Sequence, residues 1–159
     1  MDLTIDVEDY KLNIRAGGVI IHNNKLLVHK NKNKSHYCLP GGRVEIGESS
    51  RDTIKREINE ELGRDIDVLD YACTVENFFE MNNSKYHEIY FIYKIEFKDE
   101  KDRKIEETLK NNEGKENLIY EWLDLSKLDE YNLVPKCLNK IIKQENINKH
   151  IIYKVSDNK

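Results

Sequence analysis

Residues 42–64 read GRVEIGESSRDTIKREINEELGR, and the fold of the whole chain is decided in this stretch. It predicts a helix from about Ser50 to Leu62. Ser49 and Asp52 stand in capping-box spacing at its start, and Gly63 follows the last turn, where glycine is favoured. Ile54, Ile58 and Leu62 recur every four residues and form the stripe expected to be buried. At about 100° per residue, Glu57, Glu60 and Glu61 project along one flank of that stripe. Three carboxylates at i, i+3 and i+4 repel one another by roughly a few tenths of a kcal/mol per pair on an isolated helix, and Arg51, Lys55 and Arg56 offset only part of this. Two readings follow. The flank is an ordinary solvated acidic face, or the space between the acids belongs to a hard divalent cation with oxygen ligands. Mg²⁺ needs only one or two protein carboxylates when phosphate oxygens and waters complete its octahedron, so such a cluster suits a phosphate-bearing substrate.

Outward from the helix, Leu39-Pro40-Gly41-Gly42 must be a loop. Ile14 to Ile21 and Lys25 to Lys30 read as strands, with His22-Asn23-Asn24 as a tight turn between them. Downstream, Ile66 to Val75 and His87 to Phe97 read as strands. In the second, His87, Ile89, Phe91, Tyr93 and Ile95 share one face, and Glu88, Tyr90, Ile92, Lys94 and Glu96 the other. The charge-dense segment 98–113 is an exposed insertion. Leu118 to Leu123 returns as a strand, and Pro135 to Lys143 as a helix with Pro135 in its first turn. Ile151-Ile152-Tyr153 adds an edge strand or docks on the surface. Interleaved strands and helices predict a mixed α/β fold. One domain is expected over 1–159, with its core at about 11–144 and a polar tail at 145–159.

Composition narrows the function. The chain has 159 residues, 38% hydrophobic and 35% charged, enough for one sizeable core. Its formal net charge of -4 disfavours a nucleic-acid-coating protein. Nine tyrosines argue against disorder. No apolar run approaches the ~18 residues of a membrane span, and Met1 to Glu8 lacks the basic and apolar regions of a signal peptide. Cys38, Cys73 and Cys137 are far apart and in no metal-type spacing, which fits a reduced cytoplasmic protein.

The quoted stretch resembles the Nudix box, G-x(5)-E-x(7)-R-E-U-x-E-E-x-G-U with U aliphatic. It supplies Gly42, Glu48, Arg56, Glu57, Ile58, Glu60, Glu61 and Gly63, a set expected by chance in roughly one chain per million of this length. The one departure is Arg64, where an aliphatic residue is usual. Leu39-Pro40-Gly41-Gly42 is similar to the L-P-G-G that often leads into the box. The resemblance implies an α/β/α sandwich with a mixed sheet, and Mg²⁺- or Mn²⁺-dependent hydrolysis of a nucleoside diphosphate linked to another group. Carried over by position, it implies Glu57, Glu60 and Glu61 as metal ligands, with the Gly41 carbonyl as a further one. It also implies an Arg56–Glu48 pair bracing loop and helix, with Gly42 and Gly63 in structural support. Fixing clustered acids before the metal arrives is the physical use of such a brace.

Residues 114–122 read GKENLIYEW, similar to the G-K-E…E-W of MutT-type triphosphatases. That places an additional active-site carboxylate on Glu116, with Glu88 as the competing supplier. Glu57 and Glu116 are the leading proton acceptors for the attacking water, and Arg56 is counted with them. Phe79 and Tyr90 are candidates to stack on a base. Substrate identity stays open. The MutT-type match tilts toward a nucleoside triphosphate, against ADP-ribose, dinucleotide polyphosphates, RNA 5′ ends, or a nucleotide sensor that does not cleave. The partner is a small nucleotide, not a membrane, with nucleic acid disfavoured and a homodimer allowed.

Overall fold

The structure is a computed structural model and describes residues 1–103, 117–145 and 148–155. Its strands are β1 (Thr4–Val7), β2 (Tyr10–Val19), β3 (Ile21–His22), β4 (Lys25–Asn31), β5 (Gly41–Arg43), β6 (Ile66–Met81), β7 (Ser84–Phe97), β8 (Leu118–Asp124) and β9 (His150–Lys154). Its α-helices are α1 (Ser50–Leu62) and α2 (Leu138–Ile142), with short 3₁₀ turns at Glu100–Arg103 and Leu125–Glu130.

Two Asn-Asn turns set the hairpins. Asn23 and Asn24 (φ 47° and 60°) reverse the chain between β3 and β4, and Asn82 and Asn83 (φ 51° and 61°) between β6 and β7. Two successive left-handed residues match the twist of the flanking strands, and asparagine tolerates that conformation. The second turn makes β6 and β7 far longer than the hydrophobic pattern suggests. Pairing continues from Val75–Tyr90 out to Met81–Ser84, through the polar residues Glu76, Asn77 and Glu88.

The larger sheet runs β1-β2-β7-β6-β9, with β5 also on β2. It is mixed: β2–β7 and β6–β9 are parallel and the other pairs antiparallel. The smaller sheet runs β3-β4-β8. On one face of the larger sheet α1 buries Ile54, Ile58 and Leu62 against Ala16, Tyr93, Ile95 and Phe97. Each fully buried aliphatic side chain there is worth about 1.5–3 kcal/mol. The opposite face packs Val75, Tyr90 and Ile92 against Leu26, Val28 and Leu123 of the smaller sheet, closed by Leu128, Leu133, Leu138 and Ile141. Both faces of β7 are therefore covered.

The helix ends where its sequence requires. The Ser49 hydroxyl accepts from the Asp52 amide (3.1 Å), and Gly63 closes the C-terminus at φ 65°. The expected Pro135–Lys143 helix is shorter. The Leu138 and Asn139 amides donate to the Pro135 and Lys136 carbonyls, three residues back, so Pro135 lies in a turn and only Leu138–Ile142 is α-helical. Ile151-Ile152-Tyr153 forms part of β9. Of the charged segment 98–113, residues 104–113 lie outside the described residues.

Candidate active site

Arg56 ties the loop before α1 to the helix. Its Nε and Nη2 donate to the two oxygens of Glu48 (2.8 and 3.0 Å), Nη2 also to the Arg43 carbonyl (3.1 Å), and Nη1 to Glu57 and Glu60 (2.9 and 3.1 Å). A planar guanidinium with five N–H donors makes such a clamp; a lysine could not. Glu48 also accepts from the Thr53 hydroxyl (2.7 Å) and the Glu45 amide (3.2 Å). Its pKa falls to about 2, chiefly through the Arg56 hydrogen bonds, which outweigh the desolvation that opposes them. The Arg56 pKa is raised, first by Glu48 and then by Glu57.

The glycines place the helix against the strand. Gly41 has φ +151°, and a Cβ there would stand 2.1 Å from the Ala16 carbonyl oxygen. At Gly42 a Cβ would lie 2.2 Å from the Glu57 carboxyl carbon, so that carboxylate occupies the space a side chain would fill. Register sets both: Gly41 faces Gly17 and Gly42 faces Ala16 across β5 and β2.

The three helix acids differ in surroundings. Glu60 is the outermost, with 45% of its side chain exposed. Glu57 is half-buried between Gly42 and Arg56. Glu61 is 4% exposed and accepts a hydrogen bond from the Tyr120 hydroxyl on β8. Among the described residues no three His, Cys, Asp or Glu side chains converge in a metal-holding group. Glu61 is turned to Tyr120, while Glu57 and Glu60 are drawn onto Arg56. The donor chemistry nevertheless fits Mg²⁺ or Mn²⁺. Glu57 and Glu60 each point a carboxylate oxygen at one positively charged nitrogen, and hard oxygens are what these ions take.

A second polar group lies on the larger sheet. Glu88 is 5% exposed, and its oxygens accept from the Asn13 amide (2.7 Å) and the Asn77 amide (3.2 Å) on the strands to either side. Asn13 in turn accepts from the Thr4 hydroxyl (3.0 Å). Glu88 is thus an interior carboxylate held by neutral donors, rather than a surface strand residue opposite a basic partner. Tyr90, expected at the pocket edge, is 3% exposed. Its ring crosses Gly17 and carries the Arg15 guanidinium 5.9 Å from its centroid, so burial withholds it from stacking on a base. Phe79 stacks on Tyr86 at 4.8 Å near the outer end of the β6–β7 hairpin, apart from the Arg56 cluster in the register of the sheet. His87 packs on Phe78 at 4.4 Å. Glu116 lies outside the described residues.

Sequence reasoning missed Thr53, Tyr120, Asn13 and Arg15. The signal for Tyr120 was present, since alternation along β8 puts it on the face of Leu118 and Trp122, which packs toward α1. Asn13 and Arg15 carried no such signal, because their neighbours are chosen by the parallel β2–β7 pairing.

An acidic helix fastened by arginine to a glycine-rich strand end, on a mixed sheet, is the arrangement that the resemblance to the Nudix box implies. The chain belongs to the Nudix family: the family model for the NUDIX domain matches residues 12–144. An RNA pyrophosphohydrolase of Ruthia magnifica subsp. Calyptogena magnifica is 31% identical over 85 residues, 52% of this chain and 46% of that protein. An ADP-ribose pyrophosphatase of Methanocaldococcus jannaschii is 40% identical over 65 residues, 36% of this chain and 38% of that protein. The matches span less than half the length of these curated relatives. A NUDIX hydrolase structure from Nitrosomonas europaea shares the fold, with a TM-score of 0.63 at 14% identity over 89% of this chain and 78% of that one.

Proposed function

We propose that the chain is a Mg²⁺- or Mn²⁺-dependent hydrolase that cleaves a diphosphate linkage in a nucleotide, with water attacking phosphorus. The observation that carries this reading is the Arg56 clamp, which holds Glu48 of the loop and Glu57 and Glu60 of the helix on one guanidinium. Acids so fixed are organised before any ligand arrives. The family membership and the names of the two partial relatives support the same bond class.

In this mechanism Glu57, Glu60 and Glu61, with the Gly41 carbonyl and Glu116, would hold the divalent ion. Such an ion supplies positive charge to the diphosphate oxygens and acidifies the attacking water. Glu57, pressed on Gly42 and steadied by Arg56, accepts the proton that water loses, with Glu116 as the alternative acceptor. The bond from phosphorus to the bridging oxygen breaks as the bond to water forms. A nucleoside triphosphate would yield a monophosphate and pyrophosphate; other substrates would yield a phosphorylated remainder. The triphosphate preference rests on the G-K-E…E-W stretch alone, and ADP-ribose, dinucleotide polyphosphates and RNA 5′ ends compete with it. A cytoplasmic setting is supported by the three free cysteines; no helix of the described residues is long and apolar enough to cross a membrane.

The test is phosphate release from a nucleotide panel with Mg²⁺ or Mn²⁺, comparing wild type with Glu60→Gln and Glu61→Gln. Loss of turnover in both variants is expected, and equal turnover in all three proteins overturns the assignment. Tight nucleotide binding without cleavage by wild type would instead favour a sensing module.

A further inference from the structure

Arg56 holds Glu48, Glu57 and Glu60, and so braces two of the three acids on α1. The third, Glu61, is held from another layer. It is the most buried of the three, and the Tyr120 hydroxyl donates to its Oε2. Tyr120 lies in the middle of β8 and is 1% exposed. Leu27 of β4 and Tyr120 belong to the apolar cluster of Ile54, Ile58 and Leu62, so this face of the smaller sheet backs onto α1. Alternation along β4 puts His29 on the same face as Leu27.

Tyr120 is itself held. The β4–β8 register sets His29 directly opposite it, and the two rings stack with centroids 5.4 Å apart and planes 18° from parallel. His29 is buried, and its Nε2 donates to the Leu39 carbonyl (3.0 Å). A carbonyl only accepts, so this nitrogen carries a proton. Backbone bonds in both directions between His29 and Cys38 (2.9 and 2.8 Å) fix the chain at that point. Leu39 opens the segment whose Pro40 carbonyl accepts from the Gly18 amide (2.9 Å) and whose Gly41 and Gly42 pair with Gly17 and Ala16. A continuous path therefore runs from this segment through His29 and Tyr120 to Glu61. It ties the third acid to the stretch of backbone that carries the Gly41 carbonyl.

We propose that Tyr120 is a positioning residue for the divalent ion: its hydroxyl, steadied by the His29 ring, holds the Glu61 carboxylate in place before the ion arrives and so sets how tightly the acids of α1 take it. This rests on the hydrolase reading above and adds to it the brace of the third acid. A neutral donor suits that task. An ionised carboxylate has about four acceptor sites. The hydroxyl takes one and leaves the negative charge whole, whereas a guanidinium would compete with the cation for it. A carboxylate that could change rotamer would have to be ordered each time an ion entered. Folding orders Tyr120 and Glu61 together, so that step is already complete. His29 acts at one remove, because a ring stacked on the phenol limits its tilt.

The experiment is titration of the full chain with Mn²⁺ alone, read from the electron paramagnetic resonance signal of the free ion, with thermal midpoints reporting folding. Wild type, Tyr120→Phe, Glu61→Gln and the double variant carrying both substitutions are compared. Tyr120→Phe deletes one oxygen and keeps the ring on His29; it should weaken Mn²⁺ binding about 10- to 100-fold. The double variant should bind Mn²⁺ no more weakly than Glu61→Gln alone, because the hydroxyl acts through that carboxylate. Unchanged or tighter Mn²⁺ binding in folded Tyr120→Phe overturns the proposal. Losses that add in the double variant overturn it too, since they mark a packing role independent of Glu61. Should Tyr120→Phe fail to fold, His29→Gln decides, for it keeps a donor for the Leu39 carbonyl and removes the stacked ring. Weaker Mn²⁺ binding at an unchanged midpoint then supports the brace, and wild-type affinity rejects it. Mn²⁺ binding that responds to Tyr120→Phe in a protein that hydrolyses no nucleotide would sink the hydrolase reading alone. A wild type that takes up no Mn²⁺ would sink both.

Discussion

Two glutamates in this protein are taken out of water by different means. Glu48 meets a guanidinium and forms part of a charged clamp, whereas Glu88 meets two amides and sits in a neutral clamp. The charged clamp joins residues eight apart in sequence, the neutral one three strands. The difference concerns what each arrangement leaves behind. The first exhausts an arginine to organise acids; the second holds an acid between two amides.

Substitutions can break either half. The largest expected effect is on chemistry at the charged side: Glu57→Gln should lower kcat by about 10²–10⁴-fold while the thermal midpoint barely moves, measured by steady-state hydrolysis and melting. Gly42→Ala comes next. Its methyl group would take the space of the Glu57 carboxylate, so a fall in kcat approaching that of Glu57→Gln is expected without loss of any ionisable group. Arg56→Gln should cost about 2 kcal/mol of stability, read from urea unfolding, because it strips the charge-assisted bonds from Glu48, Glu57 and Glu60. Glu88→Gln should cost about 1–2 kcal/mol, since its new amide must face Asn13 or Asn77, themselves donors there.

A further effect is a pH dependence that belongs to the charged half. The folded pKa of Glu48, about 2, lies below its ordinary value of 4.5. The folded state therefore binds this proton less readily than the unfolded chain. The stability Glu48 confers is fully present above pH 4.5 and is lost as pH falls toward 2. Unfolding midpoints taken across that window should fall more steeply for wild type than for Glu48→Gln; parallel profiles would remove the charged clamp from the account.

The same contrast governs what could be read from sequence. The helix Ser50–Leu62 follows from Ile54, Ile58 and Leu62, from Ser49 and from Gly63, all local features. The Arg56–Glu48 pair came through the resemblance and lies within one loop and two helical turns. Glu88 could be placed on its strand but not given its partners, because Asn13 lies 75 residues away and reaches it through a parallel pairing that no local signal encodes. The β6–β7 hairpin was cut short for a related reason. The strand readings stop at Val75 and resume at His87, yet pairing runs on through Glu76 and Asn77 and buries Asn77 with Glu88. Tyr90 misled because tyrosine on a strand facing a cleft serves equally as a stacking surface or a core residue, and the gap over Gly17 decides for the core.

One consequence concerns the strand β9. It lies parallel to Thr74–Phe78 and pairs Tyr153 with Asn77, the outer member of the neutral clamp. Proteolytic clipping behind residue 145 would turn β6 into a raw sheet border and loosen Asn77. Glu88 would then rest chiefly on the Asn13 amide, while the Arg56 clamp on the acidic helix stayed intact.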